Sequence, residues 1–459
     1  MGSVAAPPRH VVAVPYPGRG HFNAMLNLCR ILAARDGVTA TVVVTEEWLG
    51  LLGGASSAST ARVRLEVIPN VVPSEHGRAG DMLGFVEAVY TRMEAPFELL
   101  LDRLGATAAP SAIVADTFVP WAVGVGNRRG VPVCILSPLS STMFSVPYHF
   151  GQLPAAAGGS ATPAADIADG SDPCLIGSYI PGLKSIRLGD LEPSHSNKNM
   201  LNLILEAYSC VRKAQCVIFT SFYELESKAM DALRQELPYP VFSVGPCIPY
   251  TSLQAAEHHA GREEEEPYMA WLDSQPVGSV LYVSLGSFLS VSNAQLDEIA
   301  IGLAESKVRF LWVLRGDAAR SGVRDILRGR DVAGDSMVVP WSDQLKVMCH
   351  PSVSCFFTHC GMNSTLEAVH AGVPMLTLPI AFDQPIVSRL VVDEWKIGYG
   401  LREKARDEDG VVGREEIAAV VRRLMDSEAA EVKEMRKRAS LMREASRTAA
   451  QVYGSSSRV

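Results

Sequence analysis

The sequence predicts an α/β protein made of two doubly wound halves, each with a parallel sheet covered by helices on both faces. Short β-branched runs such as 38–45 (VTATVVVT) alternate with segments whose apolar residues have helical spacing. The apolar runs are continuous, which is typical of strands that are buried on both faces. The same alternation recurs after a polar, acidic stretch at 251–267, which we interpret as an exposed linker.

The first half opens with a β-α-β unit. Residues 10–16 (HVVAVPY) form a predicted strand, and 22–37 (FNAMLNLCRILAARDG) is a predicted helix that ends at Gly37. The run at 38–45 completes the unit, and a later helix is predicted to end at Gly130, where glycine can adopt the left-handed conformation. Further strands are predicted at 111–117 (SAIVADT), 131–136 (VPVCIL), 215–221 (QCVIFTS) and 241–246 (VFSVGP).

The second half repeats this pattern and ends in a long helix at 431–453. Its predicted strands are 279–287 (SVLYVSLGS), 310–315 (FLWVLR), 352–358 (SVSCFFT) and 373–379 (VPMLTLP). The low-complexity run at 155–173 is a predicted surface loop of the first half. The elements divide the chain into an N-terminal domain at 1–245, a linker at 246–267, a C-terminal domain at 268–435 and a helix at 436–459 that we expect to pack back on the first domain.

Composition narrows the class of function. The 459 residues carry a formal charge of −8, so we expect no binding to nucleic-acid backbones, which clustered Lys and Arg would require. Nine cysteines without a C-x-x-C pair predict neither a disulfide framework nor a zinc knuckle. The first ten residues lack the apolar region of a secretory signal, and no apolar run approaches membrane-spanning length. We therefore expect a cytoplasmic protein that does not insert into membranes.

Two residues at strand ends of the first half are candidates for acid–base chemistry. His21 follows the turn PYPGRG, and Asp116 ends the strand at 111–117. The carboxyl ends of the strands in an open α/β sheet lie at one edge, so the two side chains could meet, with Asp116 orienting His21 as a general base. Capping roles for both residues remain open. The turn also matches a dinucleotide fingerprint in part, but its third glycine position holds Asn23.

The stretch THCGMNSTLE (358–367) lies between a predicted strand and a predicted helix that ends at Gly372. We predict Asn363 or Ser364 as the N-cap, with Ser364 and Glu367 forming a capping box. Backbone N–H groups and the helix dipole at such an N-terminus favour an anion such as phosphate. No further metal ligands occur at usable spacing, so we expect no metal site.

Residues 341–384 carry a resemblance to a known family. The segment WSDQLKVMCHPSVSCFFTHCGMNSTLEAVHAGVPMLTLPIAFDQ closely resembles the donor-binding signature of plant secondary-product UDP-glycosyltransferases, which are family 1 glycosyltransferases. PYPGRGH (15–21), Asp116 and YVSLGS (282–287) also fall where that family has them. The resemblance implies the GT-B fold, with two Rossmann-like domains facing a cleft, an N-terminal domain that binds the acceptor and a C-terminal domain that binds the UDP-sugar.

The resemblance also implies roles for individual residues. His21 would be the catalytic base and Asp116 its orienting partner. The donor-binding residues would be Trp341 on uracil, Gln344 and Glu367 on ribose, Ser287, His359, Gly361, Asn363 and Ser364 at the diphosphate, and Asp383 and Gln384 on the sugar hydroxyls. We place Phe118, Met143, Phe144 and Tyr148 as candidate lining of the acceptor pocket, and they could equally be ordinary core.

The implied reaction is an inverting transfer of glucose from UDP-glucose to a hydroxyl of a small lipophilic molecule, such as a secondary metabolite, a hormone or a xenobiotic. It would need no metal and no cofactor, because UDP-glucose is a co-substrate, and we expect a monomer. A closing Gln384 fits a glucose donor better than a galactose donor. The sequence departs from the family pattern at Ser342-Asp343 (usually Ala-Pro), at Met362 (usually Trp) and at Ala381-Phe382 (where a Trp is usual).

Two alternative functions remain open on the sequence alone. A nicotinamide-dependent oxidoreductase would fit the opening β-α-β unit but leaves 341–384 unexplained. A non-catalytic UDP-sugar sensor would predict loss of the base or its partner, yet His21 and Asp116 are both present.

Overall fold

The computed structural model describes residues 9–53, 60, 62–106, 108–153, 175–191, 198–249, 266–286, 291–330, 332, 336–401, 410–451 and 455–456. The predicted loop at 155–173, most of the predicted linker and Ser287 lie outside these residues. The chain forms two compact units, the first comprising Met1–Cys247 with Ala449–Val459 and the second comprising Ile248–Thr448.

The first unit contains a parallel sheet with seven strands among the described residues. The strands are β1 (Arg9–Val14), β2 (Val38–Thr45), β3 (Val63–Ile68), β4 (Ala112–Asp116), β5 (Val133–Ser137), β6 (Cys216–Phe219) and β7 (Val241–Ser243). Their order is β3-β2-β1-β4-β5-β6-β7, so β1 lies in the middle and pairs with both β2 and β4.

Helices connect these strands. They are α1 (Arg19–Ala33), α2 (Glu46–Leu51), α3 (Met82–Arg92), α4 (Glu94–Gly105), α5 (Trp121–Arg129), α6 (Ser141–Tyr148), α7 (Lys198–Val211) and α8 (Ser227–Glu236). Short 3-10 helices occur at Glu75–Gly77, Phe150–Gln152, Ile176–Ser178, Leu188–Leu191 and Tyr223–Leu225.

Successive side chains of β1 enter two different cores, as the alternation of a strand requires. Val12 and Val14 belong to a core with Phe85 and Phe97, whereas Ala13 belongs to a core with residues of α1 and α2. The sheet is therefore buried on both faces, which confirms the interpretation of its continuous apolar strands.

The second unit has a six-stranded parallel sheet among the described residues. The strands are β8 (Val280–Ser284), β9 (Arg309–Val313), β10 (Ser336–Val339), β11 (Val353–Thr358), β12 (Met375–Thr377) and β13 (Gly398–Gly400), in the order β10-β9-β8-β11-β12-β13. The helices are α9 (Pro267–Asp273), α10 (Asn293–Ser306), α11 (Asp317–Arg328), α12 (Gln344–Met348), α13 (Met362–Ala371), α14 (Gln384–Arg389), α15 (Arg414–Met425) and α16 (Ala430–Ala449), with a π-helix at Leu390–Glu394.

The predicted α/β class with two doubly wound halves is confirmed, and a long helix is present near the C-terminus as α16. The domain bounds and the packing of this helix on the first domain stay predictions. Within the second unit, α16 contributes Met435 to the core and contacts α13 through a hydrogen bond between Ser446 Oγ and His370 Nδ1 at 3.1 Å. At the C-terminus, Ser455 and Ser456 belong to the first unit, where the Ser455 hydroxyl donates to Glu224 at 2.9 Å. Gly130 has φ +65° and caps α5 as predicted.

Replacing Gly126 by Ala should destabilise the first unit by about 1–3 kcal/mol, the usual cost of overpacking. Gly126 lies in α5 against β5, and an added Cβ would lie 2.1 Å from Val133 Cγ2 and 2.7 Å from Val131 O. The midpoint of denaturant unfolding measures this loss. Gly124→Ala is the matched control in the same helix. Its nearest neighbour is the flexible end of Arg128 at 3.3 Å, so it should gain helix propensity instead. Equal midpoints for the two variants would contradict this packing.

Candidate active site

His21 and Asp116 meet at the carboxyl edge of the first sheet. The Nδ1 atom of His21 lies 2.8 Å from Asp116 Oδ2, and the backbone N–H of Phe118 donates to the other carboxylate oxygen at 2.9 Å. The Asp116 side chain is fully buried, whereas that of His21 is 22% exposed. A carboxylate that accepts at Nδ1 places the proton on Nδ1 and leaves Nε2 as a proton acceptor. This arrangement allows His21 to act as a general base.

Two aromatic rings enclose the His21 imidazole. The ring centroid of Tyr16 is 5.0 Å away, and that of Phe118 is 5.9 Å away in an edge-on arrangement. Tyr16 is buried, and its ring meets Phe85 and Phe118 edge-on. Two sides of the base are thus covered by aromatic rings.

Arg78 is a residue of this site that sequence reasoning missed. Its guanidinium is buried and donates to the Pro17 carbonyl at 2.9 Å, so it holds the turn that precedes α1. It also forms an ion pair with Glu75 at 3.0 Å and lies 5.5 Å from the ring centroid of Phe85. The local sequence HGRAGD resembles an exposed turn, so no local signal could have identified a buried cation. By fixing the turn, Arg78 helps to place His21.

The four candidate acceptor residues fall into two groups, with one beside His21 and three in the core. Phe118 is partly buried beside His21, as a pocket residue would be. Phe144 is fully buried, and its ring packs against Tyr148, Tyr208 and Phe219. Tyr148 and Met143 are also buried, and Arg212 Cζ lies 3.9 Å from the Tyr148 ring centroid. The core interpretation left open by the sequence is therefore favoured for Met143, Phe144 and Tyr148.

In the second unit, the predicted N-cap and capping box of α13 are wrong. The helix begins at Met362 with Gly361 as the N-cap, and no described side chain caps this end. The reason is the left-handed conformation of Cys360, φ +69°, which turns the chain directly after β11. Ser364 and Glu367 instead both accept hydrogen bonds from Gln344. The N-cap glycine has no side chain that could cap this end, so the turn at 358–361 stays a predicted anion-binding turn.

His359 is held between two glycines. A Cβ on Gly286, which has φ +90°, would lie 2.7 Å from His359 Nε2, and one on Gly361 would lie 2.8 Å from the same atom. Burial lowers the pKa of His359 to about 4, so the ring is neutral at pH 7. Its Nδ1 atom is buried and has no hydrogen-bond partner among the described residues. A neutral imidazole can donate one hydrogen bond to a diphosphate beside the helix N-terminus.

Trp341 and Gln344 lie on the turn that leads into α12, and Gln344 contacts α13. The Trp341 side chain is 54% exposed, which is unusual for so large an apolar ring and leaves its face available for stacking. Gln344 Nε2 donates to Glu367 Oε2 at 2.7 Å and to Ser364 Oγ at 3.0 Å. Burial raises the pKa of Glu367 to about 7, and the nearby Asp343 adds to this rise. The structure thus brings Gln344 and Glu367 into contact, and the roles of these residues and of Trp341 at a nucleotide stay predictions.

Gln384 lies at the start of α14, directly after Asp383, its N-cap residue. Its side-chain carbonyl accepts from the backbone N–H groups of Ile380 and Ala381 at 2.8 and 3.1 Å. The amide nitrogen therefore remains as the group that can contact a sugar hydroxyl.

Cys360 is a packing residue. It is fully buried, and desolvation raises the pKa of its thiol, which agrees with the interpretation of an inert cysteine. Within the described part of the chain, no group of three or more His, Cys, Asp or Glu side chains could hold a metal ion. Among the same residues, no helix has the length and apolar character needed to cross a bilayer.

Comparison with known proteins gives a consistent result. The model of the family described as "UDP-glucoronosyl and UDP-glucosyl transferase" matches residues 209–404. The chain is 44% identical over 452 residues to UDP-glycosyltransferase 87A2 of Arabidopsis thaliana, covering 98% of this chain and 94% of that protein. It is 33% identical to the indole-3-acetate beta-glucosyltransferase of Zea mays, covering 98% of this chain and 96% of that protein. These relatives are transferases, so the oxidoreductase and sensor alternatives gain no support.

The fold comparison agrees. A UDP-glucosyltransferase from Polygonum tinctorium, described as capable of glucosylating indoxyl and solved with 3,4-dichloroaniline, superposes with a TM-score of 0.82 at 27% identity. The match covers 99% of this chain and 97% of that one. The GT-B fold implied by the resemblance is thereby confirmed.

Replacing Glu367 by Gln should raise the Tm of the nucleotide-free protein more at about pH 8 than at about pH 5. The folded-state pKa of Glu367 is about 7 against an ordinary value of 4.5, so the folded state keeps a proton that the unfolded chain has lost. The stability that this proton provides is complete below about pH 4.5 and is lost as the pH rises through about 7. Glutamine does not suffer this loss. Thermal unfolding at the two pH values measures the difference.

Glu298→Gln is a control of opposite sign in the same unit. Arg414 lowers the pKa of Glu298, so the stabilisation from that carboxylate is present at high pH and is lost as the pH falls. This variant should therefore lose more stability at the higher pH. If the gain in Tm of Glu367→Gln over the wild type stays constant or shrinks as the pH rises, this result would contradict the burial of that carboxyl.

Proposed function

This chain belongs to the plant UDP-glycosyltransferase family and is a glycosyltransferase that uses a UDP-sugar; from this premise we propose that it transfers glucose from UDP-glucose to a hydroxyl of a small lipophilic acceptor, with inversion. The observation that carries the mechanism is the 2.8 Å contact between His21 Nδ1 and Asp116 Oδ2. The Nε2 atom of His21 takes the proton of the acceptor hydroxyl as its oxygen attacks the anomeric carbon. The bond from that carbon to the diphosphate breaks, and UDP leaves with the electron pair.

Asp116 acts through His21. Protonation of Nε2 makes the ring an imidazolium, and the adjacent buried carboxylate stabilises that charge. The N–H of Phe118 at the second carboxylate oxygen keeps Asp116 from rotating away. This pairing supports the assignment of His21 as the base and Asp116 as the residue that orients it.

The second unit supplies the groups for the leaving UDP. The uncapped N-terminus of α13, at Gly361 to Ser364, and the neutral His359 stabilise the charge that develops on the diphosphate. Trp341 stacks on uracil, while Gln344 and Glu367 bind the ribose hydroxyls. Because fixed N–H groups and dipoles meet the negative charge, the proposed reaction proceeds without a metal ion or cofactor.

Gln384 supports glucose as the sugar. Its carbonyl is bound to the backbone at 380–381, so the amide nitrogen has a fixed direction and can donate to one sugar hydroxyl. Asp383 precedes it and can accept from another. The Zea mays and Polygonum tinctorium relatives are both named as glucosyltransferases, which agrees with this donor.

The acceptor that we propose is apolar around its reactive hydroxyl. Tyr16 and Phe118 place aromatic surface beside His21, and such surface favours a flat or lipophilic molecule. The indoxyl of the Polygonum tinctorium enzyme is a molecule of this kind. Together with this reaction we propose a monomer that acts in the cytoplasm.

Replacing His21 by Ala should lower kcat by about 10²–10⁴-fold, the usual contribution of a general base, and leave the Kd for UDP unchanged. Asp116→Asn should also lower kcat, since it removes the charge that stabilises the imidazolium. Mass spectrometry of an acceptor panel incubated with UDP-glucose measures transfer, and calorimetry measures UDP binding. His76→Ala, at a histidine that is 79% exposed, is the control and should keep full activity. Undiminished turnover of His21→Ala would refute the assignment of the base.

The same panel distinguishes the donor. With UDP-glucose and UDP-galactose supplied in parallel, kcat/KM should favour glucose by about tenfold or more, because a single misplaced hydroxyl leaves a buried polar group unpaired. Gln384→Ala should erase most of this preference. A wild-type preference for galactose would overturn the proposal for the sugar while leaving the His21 mechanism intact.

A further inference from the structure

We propose that Tyr268 and Tyr282 are positioning residues for nucleotide binding, and that their hydroxyls hold the turn from Trp341 to Gln344 in place. Neither tyrosine belongs to the 341–384 segment. The inference rests on the proposed stacking of uracil on Trp341 and explains how this chain fixes that ring.

Tyr268 holds the turn through the backbone of Asp343. The Asp343 N–H donates to the Tyr268 hydroxyl oxygen at 3.1 Å, and the Tyr268 side chain, on α9, is 5% exposed. The side chain of Asp343 accepts from the Lys346 N–H at 3.1 Å and thereby caps α12. Asp343 is therefore fixed at both its backbone and its carboxylate.

Tyr282 holds the adjacent residue. Its hydroxyl lies 3.1 Å from Ser342 Oγ, and both side chains are buried. Tyr282 is on the central strand β8, where its ring stacks on Phe356 at a centroid distance of 5.2 Å. The hydroxyl is thus anchored to a central strand of the second sheet.

These two contacts are made by Ser342 and Asp343, the two residues at which this turn departs from the family pattern. The resembling family usually has Ala-Pro where this chain has Ser342-Asp343. A proline ring locks φ near −65°, and Asp343 has φ −71° without such a ring. The Asp343 N–H, which proline would lack, goes to Tyr268, and the Ser342 hydroxyl, which alanine would lack, goes to Tyr282. Two hydrogen bonds therefore replace a covalent restraint.

The turn matters because both of its ends face the nucleotide site. Trp341 is 54% exposed, so the backbone beneath it sets the position of its ring. Gln344, at the other end, donates to Glu367 at 2.7 Å. Loosening the turn should weaken the binding of uridine while leaving the diphosphate site at α13 unchanged.

The experiment measures the Kd of UDP, uridine and inorganic diphosphate by calorimetry or by competition. Tyr268→Phe should raise the Kd of UDP and of uridine about 3- to 10-fold, the value of one net hydrogen bond, and leave that of diphosphate unchanged. Tyr239→Phe is the matched control, since its hydroxyl donates to Val211 O at 2.8 Å in the first unit. It should change none of the three constants.

A double-mutant cycle tests the pairing itself. In an Asp343→Pro background, which lacks the N–H, Tyr268→Phe should have little further effect on the Kd of UDP. If Asp343→Pro fails to fold, Ser342→Ala provides a second test. It removes the hydroxyl that contacts Tyr282 and should raise the Kd of UDP to a similar extent. An unchanged Kd of UDP in Tyr268→Phe, or an equal loss for diphosphate, would overturn the proposal. Wild-type protein that binds no UDP would instead count against the proposed function.

Discussion

In both units the candidate site begins where two central strands that pair in parallel reach their carboxyl ends. The pairing of β1 with β4 matches Val14 to Ala115, which puts the turn before α1 beside Asp116. The pairing of β8 with β11 matches Ser284 to Thr358, which puts Gly286 beside His359. Residues that are distant in sequence therefore meet because backbone hydrogen bonds fix the register. A shift of one residue in either pair would turn the side chains of the shifted strand to the opposite face of the sheet.

Burial sets the charge state of two residues that we propose for donor binding. Desolvation keeps His359 neutral at pH 7 and raises the pKa of Glu367 to about 7. A hydrogen bond made by either group in such low-dielectric surroundings is electrostatically stronger than one made in water. The α13 N-terminus adds dipoles that need no reorganisation when charge develops.

The sequence predicted the central strands but missed three at the edges of the two sheets. β3, β10 and β13 are edge strands, and an edge strand is covered on fewer sides, so its run of apolar residues is shorter or mixed. In β3, Arg64 and Glu66 interrupt the apolar pattern.

At the candidate site, the sequence predictions failed where backbone conformation or long-range packing decides the structure. The capping box of α13 failed because the left-handed φ of Cys360 starts the helix earlier than the side-chain signals suggest. Arg78 and Tyr268 lie far along the chain from the residues that they hold, and tertiary packing alone brings them there. Strand-end residues such as His21 and Asp116 were within reach of sequence reasoning because parallel topology places them by rule.

The remaining departures from the family pattern differ in kind. Met362 is buried at the first position of α13, so its side chain packs inside the second unit. Phe382 is exposed and has φ +60°, in the same loop whose N–H groups bind the carbonyl of Gln384. A change in that loop moves the amide of Gln384 directly, whereas a change at Met362 acts through packing. Donor preference should therefore depend on Ala381 and Phe382 more than on Met362, because Gln384, which we propose to contact the sugar, is anchored to the loop that contains them.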